Sequence, residues 1–120
     1  MKIIDTHCHL YPSEMNNAED IIKECASNNI SVILNGVDIA SNSEILELSK
    51  KYDNVYAAIG LNYDQIDTFT DGDLVLLEEQ IKNNKIVALG EIGIDYHWTK
   101  ENSDKQVYFF KKQLELAKKY

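Results

Sequence analysis

Short apolar segments alternate four times with segments of helical periodicity along this chain of 120 residues. The apolar segments, rich in β-branched residues, are Ile3 to Thr6, Ser31 to Leu34, Val55 to Ile59 and Ile86 to Leu89. Such alternation implies a parallel sheet whose strands are joined and covered by helices. The chain is therefore predicted to be an α/β protein with four βα units.

The helices are predicted from apolar spacing and from capping residues. Ala18 to Asn28 has helical periodicity, and Ser41 with Glu44 three residues later resembles a capping box that opens a helix to Lys51. A third helix is predicted to begin at Gly72. The last helix spans Ser103 to Lys119, and its apolar stripe is predicted to be Val107, Phe110, Leu114 and Ala117.

The composition is that of one globular domain, residues 1–120, with a net charge of −8. All of its basic side chains are lysines, which argues against a sequence-reading DNA-binding module. It does not exclude a phosphate substrate, because bound metal ions can supply local positive charge. Cys8 and Cys25 have no disulfide or zinc-finger spacing, and no signal peptide or membrane-spanning stretch is apparent. We expect a cytoplasmic protein without membrane association.

Three polar loops follow predicted strands: residues 11–17, 62–72 and 95–102. In parallel α/β folds the ligand site lies at the carboxyl ends of the strands. A flavodoxin-like open sheet is one alternative, but the chain has no glycine-rich phosphate loop. A complete (β/α)₈ barrel needs about 250 residues. The order and length therefore predict a parallel (βα)4 half of a TIM-type (β/α)8 barrel.

The first strand ends in a His-x-His pattern, His7-Cys8-His9. Residues two apart on a strand share a face, so both imidazoles are expected to point the same way while Cys8 points away. Two convergent imidazoles suit a divalent metal ion. Two partly exposed histidines at a strand end are the alternative interpretation.

Two motifs resemble the signatures of the TatD family of metal-dependent hydrolases. Residues 5–10 read Asp-Thr-His-Cys-His-Leu, and residues 87–96 read Val-Ala-Leu-Gly-Glu-Ile-Gly-Ile-Asp-Tyr. Gln106 and the run Gln-Leu-Glu-Leu-Ala at 113–117 resemble the helix that follows. The resemblance extends along nearly the whole chain but matches only the first half of a typical member.

The resemblance implies a metal-dependent hydrolase that typically acts as a DNase on phosphodiester bonds. It implies that His7, His9 and Glu91 are metal ligands, that Glu91 is also catalytic and bridges to a second ion, and that the ions are Mg²⁺, Mn²⁺ or Zn²⁺. Asn62 and Tyr96 are predicted to face the DNA substrate, Tyr96 by stacking on a base. Glu91 as a solvated loop acid and Tyr96 as loop packing are the alternatives.

Two departures from the family pattern bear on function. Asn62 stands where the family commonly has a histidine; an amide can hydrogen-bond but does not titrate near neutrality. The family's remaining ligands would lie beyond Tyr120, so this chain alone is expected to be inactive. The competing hypothesis is a non-catalytic half-barrel that forms a homodimer through its open strand edges.

Overall fold

The computed structural model describes residues 2–120. Its strands are β1 (Ile3–Cys8), β2 (Ile30–Asn35), β3 (Val55–Ile59) and β4 (Ala88–Leu89). Its helices are α1 (Ala18–Ser27), α2 (Ile39–Lys51), α3 (Asp71–Asn83) and α4 (Ser103–Lys119), and a 3-10 helix covers Tyr63–Thr68. The four strands are parallel and adjacent in sequence order. The predicted (βα)4 half-barrel is confirmed.

The core lies between the sheet and its helices. Val32 and Leu34 of β2 and Ala57 and Ile59 of β3 are at most 1% exposed, and they alternate along their strands as side chains of one sheet face do. Ile45 of α2 is completely buried in the same cluster. The two central strands therefore form the most thoroughly covered part of the fold.

β1 has neighbours on one side only. It pairs with β2, and its side chains are exposed along most of its length, with Ile3 at 49% and Ile4 at 53% exposure. Both faces of this apolar strand are thus open among residues 2–120. No helix in that range is long and apolar enough to cross a lipid bilayer.

The capping box predicted at Ser41 and Glu44 is wrong. α2 begins at Ile39, and its capping box joins Asp38 to Ser41: Ser41 N–H donates to Asp38 Oδ1 at 2.8 Å, and Asp38 N–H donates to Ser41 Oγ at 3.1 Å. Glu44 instead accepts a hydrogen bond from the Ser13 amide at 3.0 Å. The aspartate three residues before Ser41 competes for the same role, and a carboxylate is the stronger cap acceptor.

Two boundaries predicted from polarity also differ. The predicted loop at 62–72 contains the 3-10 helix, in which Ile66 is 2% exposed, and Phe69 directly after that helix is 6% exposed. α3 begins at Asp71 rather than Gly72. Two apolar anchors in a polar segment are too few to produce a helical period, so the pattern indicated a loop. The fourth strand, predicted from Ile86, is limited to two residues because its register with β3 covers only those.

The bounds of α4 are confirmed, but the predicted apolar stripe is not its buried face. Gln106, Phe109 and Gln113 are the buried residues of this helix, whereas Leu114 is 46% exposed. The helix is rotated from the orientation that its apolar residues alone would favour. Two buried glutamines on the inner face indicate that polar contacts with the loops determine how α4 packs.

Candidate metal centre

Three side chains that follow or end the first and fourth strands meet at the carboxyl edge of the sheet. His7 Nε2 and His9 Nε2 lie 3.3 Å apart, and each lies 3.5 Å from Glu91 Oε2. Among residues 2–120, this is the group of histidine, cysteine and acidic side chains whose ligand atoms converge, all within 4.8 Å of one another. The structure therefore brings together the three residues that were predicted as metal ligands.

The two histidines project to the same side, as the strand pattern predicted. Their ring centroids are 5.1 Å apart. Cys8 points away, and its thiol lies 3.6 Å from the Ile33 carbonyl oxygen. Burial, reinforced by the negative charge of Asp5, raises the pKa of the Cys8 thiol to about 11. The thiol is therefore protonated at neutral pH and does not compete with the imidazoles for a metal ion.

The orientation of His9 is determined by a backbone contact. Its Nδ1 lies 2.9 Å from the Asn35 carbonyl oxygen, which can only accept, so Nδ1 carries the proton. In this tautomer Nε2 has a free lone pair that faces Glu91 and His7. A ligating histidine typically has this arrangement, with its other ring nitrogen bonded to a carbonyl or carboxylate.

The backbone of Glu91 is held against two glycine turns. Its amide donates to the Gly36 carbonyl oxygen at 2.9 Å. Gly60 approaches so closely that a Cβ built there would lie 2.9 Å from the Glu91 carbonyl oxygen. A side chain at Gly60 would displace the Glu91 segment, so this glycine permits the close approach that brings the carboxylate to the histidines.

The three ligand atoms fit a divalent metal ion. A tetrahedral centre with bonds of about 2.0–2.1 Å places neighbouring ligand atoms about 3.3–3.4 Å apart. The observed separations of 3.3, 3.5 and 3.5 Å are close to that spacing. Two nitrogens and one carboxylate also leave a coordination position open for water, as in catalytic rather than structural sites.

Asn62 follows β3 and lies next to the same turn. The backbone amide of Asn62 donates to the Val37 carbonyl oxygen at 2.8 Å. Val37 follows Gly36, whose carbonyl oxygen accepts the Glu91 backbone amide. Its side chain is 4% exposed; Nδ2 lies 3.5 Å from Asp64 Oδ2, and among residues 2–120 the buried Oδ1 has no hydrogen-bond partner. The structure thus places Asn62 on the turn that also receives the Glu91 amide, with a buried acceptor that has no partner among residues 2–120.

Tyr63 lies near the three ligands, which the sequence did not predict. Burial and the negative charges of Asp64, Asp95 and Glu91 raise the pKa of its phenol above the ordinary value, so it is a neutral group in acidic surroundings. Its ring also packs near Gly93, at 3.7 Å from a Cβ built there. A single tyrosine in a polar loop forms no sequence pattern that would predict a place in the site. Its position near the site is visible only in the structure, where the loop after β4 packs against it.

The loop after β4 carries three aromatic rings on its outer side. Tyr96 is 40% and Trp98 83% exposed, and the rings of His97 and Trp98 meet edge to face at 4.5 Å. The convergent ligand set does not include Tyr96 or His97. Tyr96 therefore lies on the predicted rim loop, outside the group of three ligands.

A parallel half-barrel with a His-His-Glu triangle at the carboxyl ends of its strands is typical of metal-dependent barrel enzymes, whose sites lie at that edge. The chain belongs to the TatD related DNase family, whose model matches residues 4–120.

Several relatives of this chain are about twice as long. It is 35% identical to the uncharacterized metal-dependent hydrolase YabD of Bacillus subtilis, over 97% of this chain and 46% of that protein. It is 32% identical to the uncharacterized metal-dependent hydrolase MJ1582 of Methanocaldococcus jannaschii, over 98% and 47%. The crystal structure of the TatD homolog YjjV from Escherichia coli superposes with a TM-score of 0.84 at 29% identity, covering 98% of this chain and 47% of YjjV. The chain thus spans about half the length of the relatives it matches.

Proposed function

We propose that this chain forms part of a metal-dependent hydrolase that cleaves phosphodiester bonds in DNA. The observation that carries the proposal is the triangle of His7, His9 and Glu91 ligand atoms at the strand ends. The family description and the relatives' names support metal-dependent hydrolysis. The chain by itself is expected to be inactive, because more of a barrel is needed to enclose a substrate.

His7, His9 and Glu91 would hold the ion, which when bound lowers the pKa of water and neutralises developing charge on a phosphate. His9 is prepared for this role because its Nδ1 contact with Asn35 leaves Nε2 free. The Glu91 carboxylate has a second oxygen in addition to the one that faces the histidines. That oxygen suits a bridge to a second ion, so we propose two ions, of Mg²⁺, Mn²⁺ or Zn²⁺.

We further propose that Asn62 and Tyr96 contact the substrate. Asn62 is hydrogen-bonded to Val37, the residue after the Gly36 carbonyl that accepts the Glu91 amide, and its buried Oδ1 is an unused acceptor that suits a hydrogen bond to a water between it and the substrate. Tyr96 is exposed on the rim loop and suits stacking on a base, which is worth roughly 1–3 kcal/mol per base. Both residues would act by binding and orientation.

The test is an assay of the native-length protein on single-stranded DNA with Mn²⁺ or Mg²⁺, with and without EDTA. Glu91→Gln is expected to lower the cleavage rate at least about 100-fold, because the neutral amide loses the charge that holds the ion. Glu101→Gln, an exposed acid of the same loop, is the matched control and is expected to retain activity. Cleavage that survives EDTA or Glu91→Gln would contradict the proposal.

A second candidate is a non-catalytic homodimer of half-barrels. The observation that favours it is the open β1 edge, together with Ile4 and Tyr56, which are 53% and 37% exposed on the sheet face opposite the helices. Pairing of two such edges would bury apolar surface that a monomer leaves in water. Sedimentation equilibrium distinguishes the states: twice the chain mass of 13.7 kDa supports the dimer, and the single mass contradicts it.

A further inference from the structure

Asn42 of α2 forms a two-way hydrogen-bonded bracket around the backbone of Gly60. Its Nδ2 donates to the Gly60 carbonyl oxygen at 3.1 Å, and its Oδ1 accepts from the Gly60 amide at 3.1 Å. The side chain is completely buried. A carboxamide offers the donor and the acceptor that one backbone residue needs, so the bracket resembles one rung of a β-ladder.

Two glutamines of α4 form the same bracket. Gln113 Oε1 accepts from the Leu61 amide at 2.8 Å while its Nε2 donates to the Leu61 carbonyl oxygen at 3.0 Å. Gln106 does the same for Asp95, at 2.8 and 3.0 Å. Both glutamines are at most 2% exposed and are seven residues apart, so they lie on one face of the helix.

These contacts occur where the strands end. Gly60 and Leu61 follow β3, and Asp95 follows the Glu91 segment, so their backbone groups lack a regular strand neighbour on at least one side. A buried backbone group without a partner costs free energy comparable to a lost hydrogen bond. An apolar side chain at position 42 or 113 would leave those groups unpaired, which explains why polar residues occupy the interior of α2 and α4.

The Asn42 bracket reaches the metal centre through two glycines. A Cβ on Gly60 would lie 2.9 Å from the Glu91 carbonyl oxygen, so Gly60 packs directly on the ligand's backbone. A Cβ on Gly36 would lie 1.9 Å from Asn42 Oδ1, and it is the Gly36 carbonyl that accepts the Glu91 amide. Asn42 therefore touches both backbone segments between which Glu91 is held.

We propose that Asn42 is a positioning residue of the metal centre and that Gln113 is a positioning residue of the neighbouring substrate contact at Asn62. Asn42 holds the backbone of the two glycine turns against which the Glu91 backbone packs, and this positions the Glu91 carboxylate. Gln113 holds the backbone of Leu61, the residue before Asn62. The inference rests on the proposed metal centre but does not depend on which bond is hydrolysed. It assigns a functional role to two helices that contribute no ligand of their own.

Mn²⁺ affinity of the native-length protein, measured by electron paramagnetic resonance of free Mn²⁺, tests the role of Asn42. Asn42→Ala is expected to weaken Mn²⁺ binding roughly 10- to 100-fold, as is typical for residues that orient ligands. Gln80→Ala is the matched control, because it removes the 3.3 Å contact of Asn42 with Gln80 and leaves the Gly60 bracket intact. Wild-type affinity in folded Asn42→Ala, or equal weakening in Gln80→Ala, overturns the proposal.

Asn42→Asp keeps the proposal testable if Asn42→Ala does not fold. It retains the acceptor for the Gly60 amide but sets a carboxylate oxygen against the Gly60 carbonyl, so Mn²⁺ binding is again expected to weaken. Affinity equal to wild type in this variant overturns the role of Asn42. A wild-type protein that binds no Mn²⁺ overturns the positioning role together with the metal centre.

Gln113→Met tests the second bracket with a side chain of similar shape and no hydrogen-bonding amide. A positioning role predicts a raised KM for the substrate with Mn²⁺ affinity unchanged, because Leu61 precedes Asn62 and not a ligand. A merely structural role predicts a lower melting temperature with both constants unchanged, and that result overturns the proposal. Mn²⁺ binding without hydrolysis of DNA in the wild type rejects the proposed substrate, while the Asn42 measurements still decide the positioning of Glu91.

Discussion

β3 and β1 are parallel strands of one sheet with opposite surroundings. Four of the five residues of β3 are buried, whereas none of the six residues of β1 is. β3 has a strand on each side and α2 packed beside it, while β1 pairs with β2 alone. Yet β1 carries His7 and leads directly into His9. The metal centre thus joins Glu91, which is held against the turns after the two central strands, to a strand supported on one side.

The comparison predicts a large difference between apolar truncations in the two strands. Ile59→Ala in β3 is expected to destabilise the 120-residue chain by about 2–5 kcal/mol, because Ile59 is 0% exposed and its removal leaves a cavity. Ile4→Ala in β1 is expected to cost less than about 1.5 kcal/mol, since half of that side chain already faces water. Urea unfolding measures both changes.

The same two variants can be compared in the native-length protein. If further strands cover β1 there, the cost of Ile4→Ala rises toward that of Ile59→Ala, because the side chain becomes part of a core. Equal costs in the 120-residue chain would instead show that β1 is already covered, for example by a second copy.

Metal binding is expected to reduce the difference between the strands by tying β1 to the Glu91 segment. At an Mn²⁺ concentration of 100 times Kd, the free energy of unfolding should increase by about 2.7 kcal/mol in the native-length protein. Glu91→Gln should abolish most of this increase, because it removes the charged ligand that faces His7 and His9. An equal Mn²⁺ effect in Glu91→Gln would place the ion elsewhere.

A smaller effect is expected at the start of α2, on the well-covered side. Asp38→Ala removes the side chain that caps this helix and should cost about 1 kcal/mol. Glu44→Ala should change stability by no more than about 0.5 kcal/mol, since its contact is with an exposed loop amide. Thermal unfolding of both variants decides between the observed capping box and the one predicted from sequence.

The smallest expected effect is a pH-dependent one at the joint between α3 and α4. The Lys119 ammonium and the Tyr120 hydroxyl, each 2.7 Å from Glu78 Oε1, lower the pKa of Glu78 from 4.5 to about 2. Because the folded-state pKa is depressed, the stabilisation is present above pH 4.5 and is lost as pH falls toward 2.

Glu78→Gln should therefore be less stable than wild type at neutral pH, and the difference should shrink between pH 4.5 and 2. Urea unfolding across this range measures it, with Glu79→Gln as the control on the same helix. A difference that does not change with pH would mean that the contact of Glu78 with Lys119 and Tyr120 stabilises the fold by packing rather than by charge.

Much of the site was predictable because its residues belong to local sequence patterns. His-x-His at a strand end directs two imidazoles to one side wherever the strand lies, and the Gly-Glu pair follows the fourth apolar run at the same edge. Tyr63 and Asn42 carry no such pattern. Their positions matter only because the β4 loop and the glycine turns approach them from distant parts of the sequence.

The face of α4 shows most clearly what local pattern could not predict. Its apolar residues indicate Val107 and Leu114 as the inner stripe, yet Gln106 and Gln113 are buried. The reason is that strand ends leave unpaired backbone groups, and satisfying them outweighs burying one further apolar side chain.

Strand alternation and helical period are local properties, so the amino-acid sequence was enough to predict the order of the elements and the parallel half-barrel. The His-x-His pattern indicated His7 and His9 as ligands, and the resemblance to the TatD family implied Glu91. The packing of the folded chain was needed to show which helix faces are buried, that β1 has one strand neighbour, and that Asn42 and Gln113 bond the backbone that follows β3. The last two contacts join residues 18 and 52 positions apart, and no local period encodes such a distance.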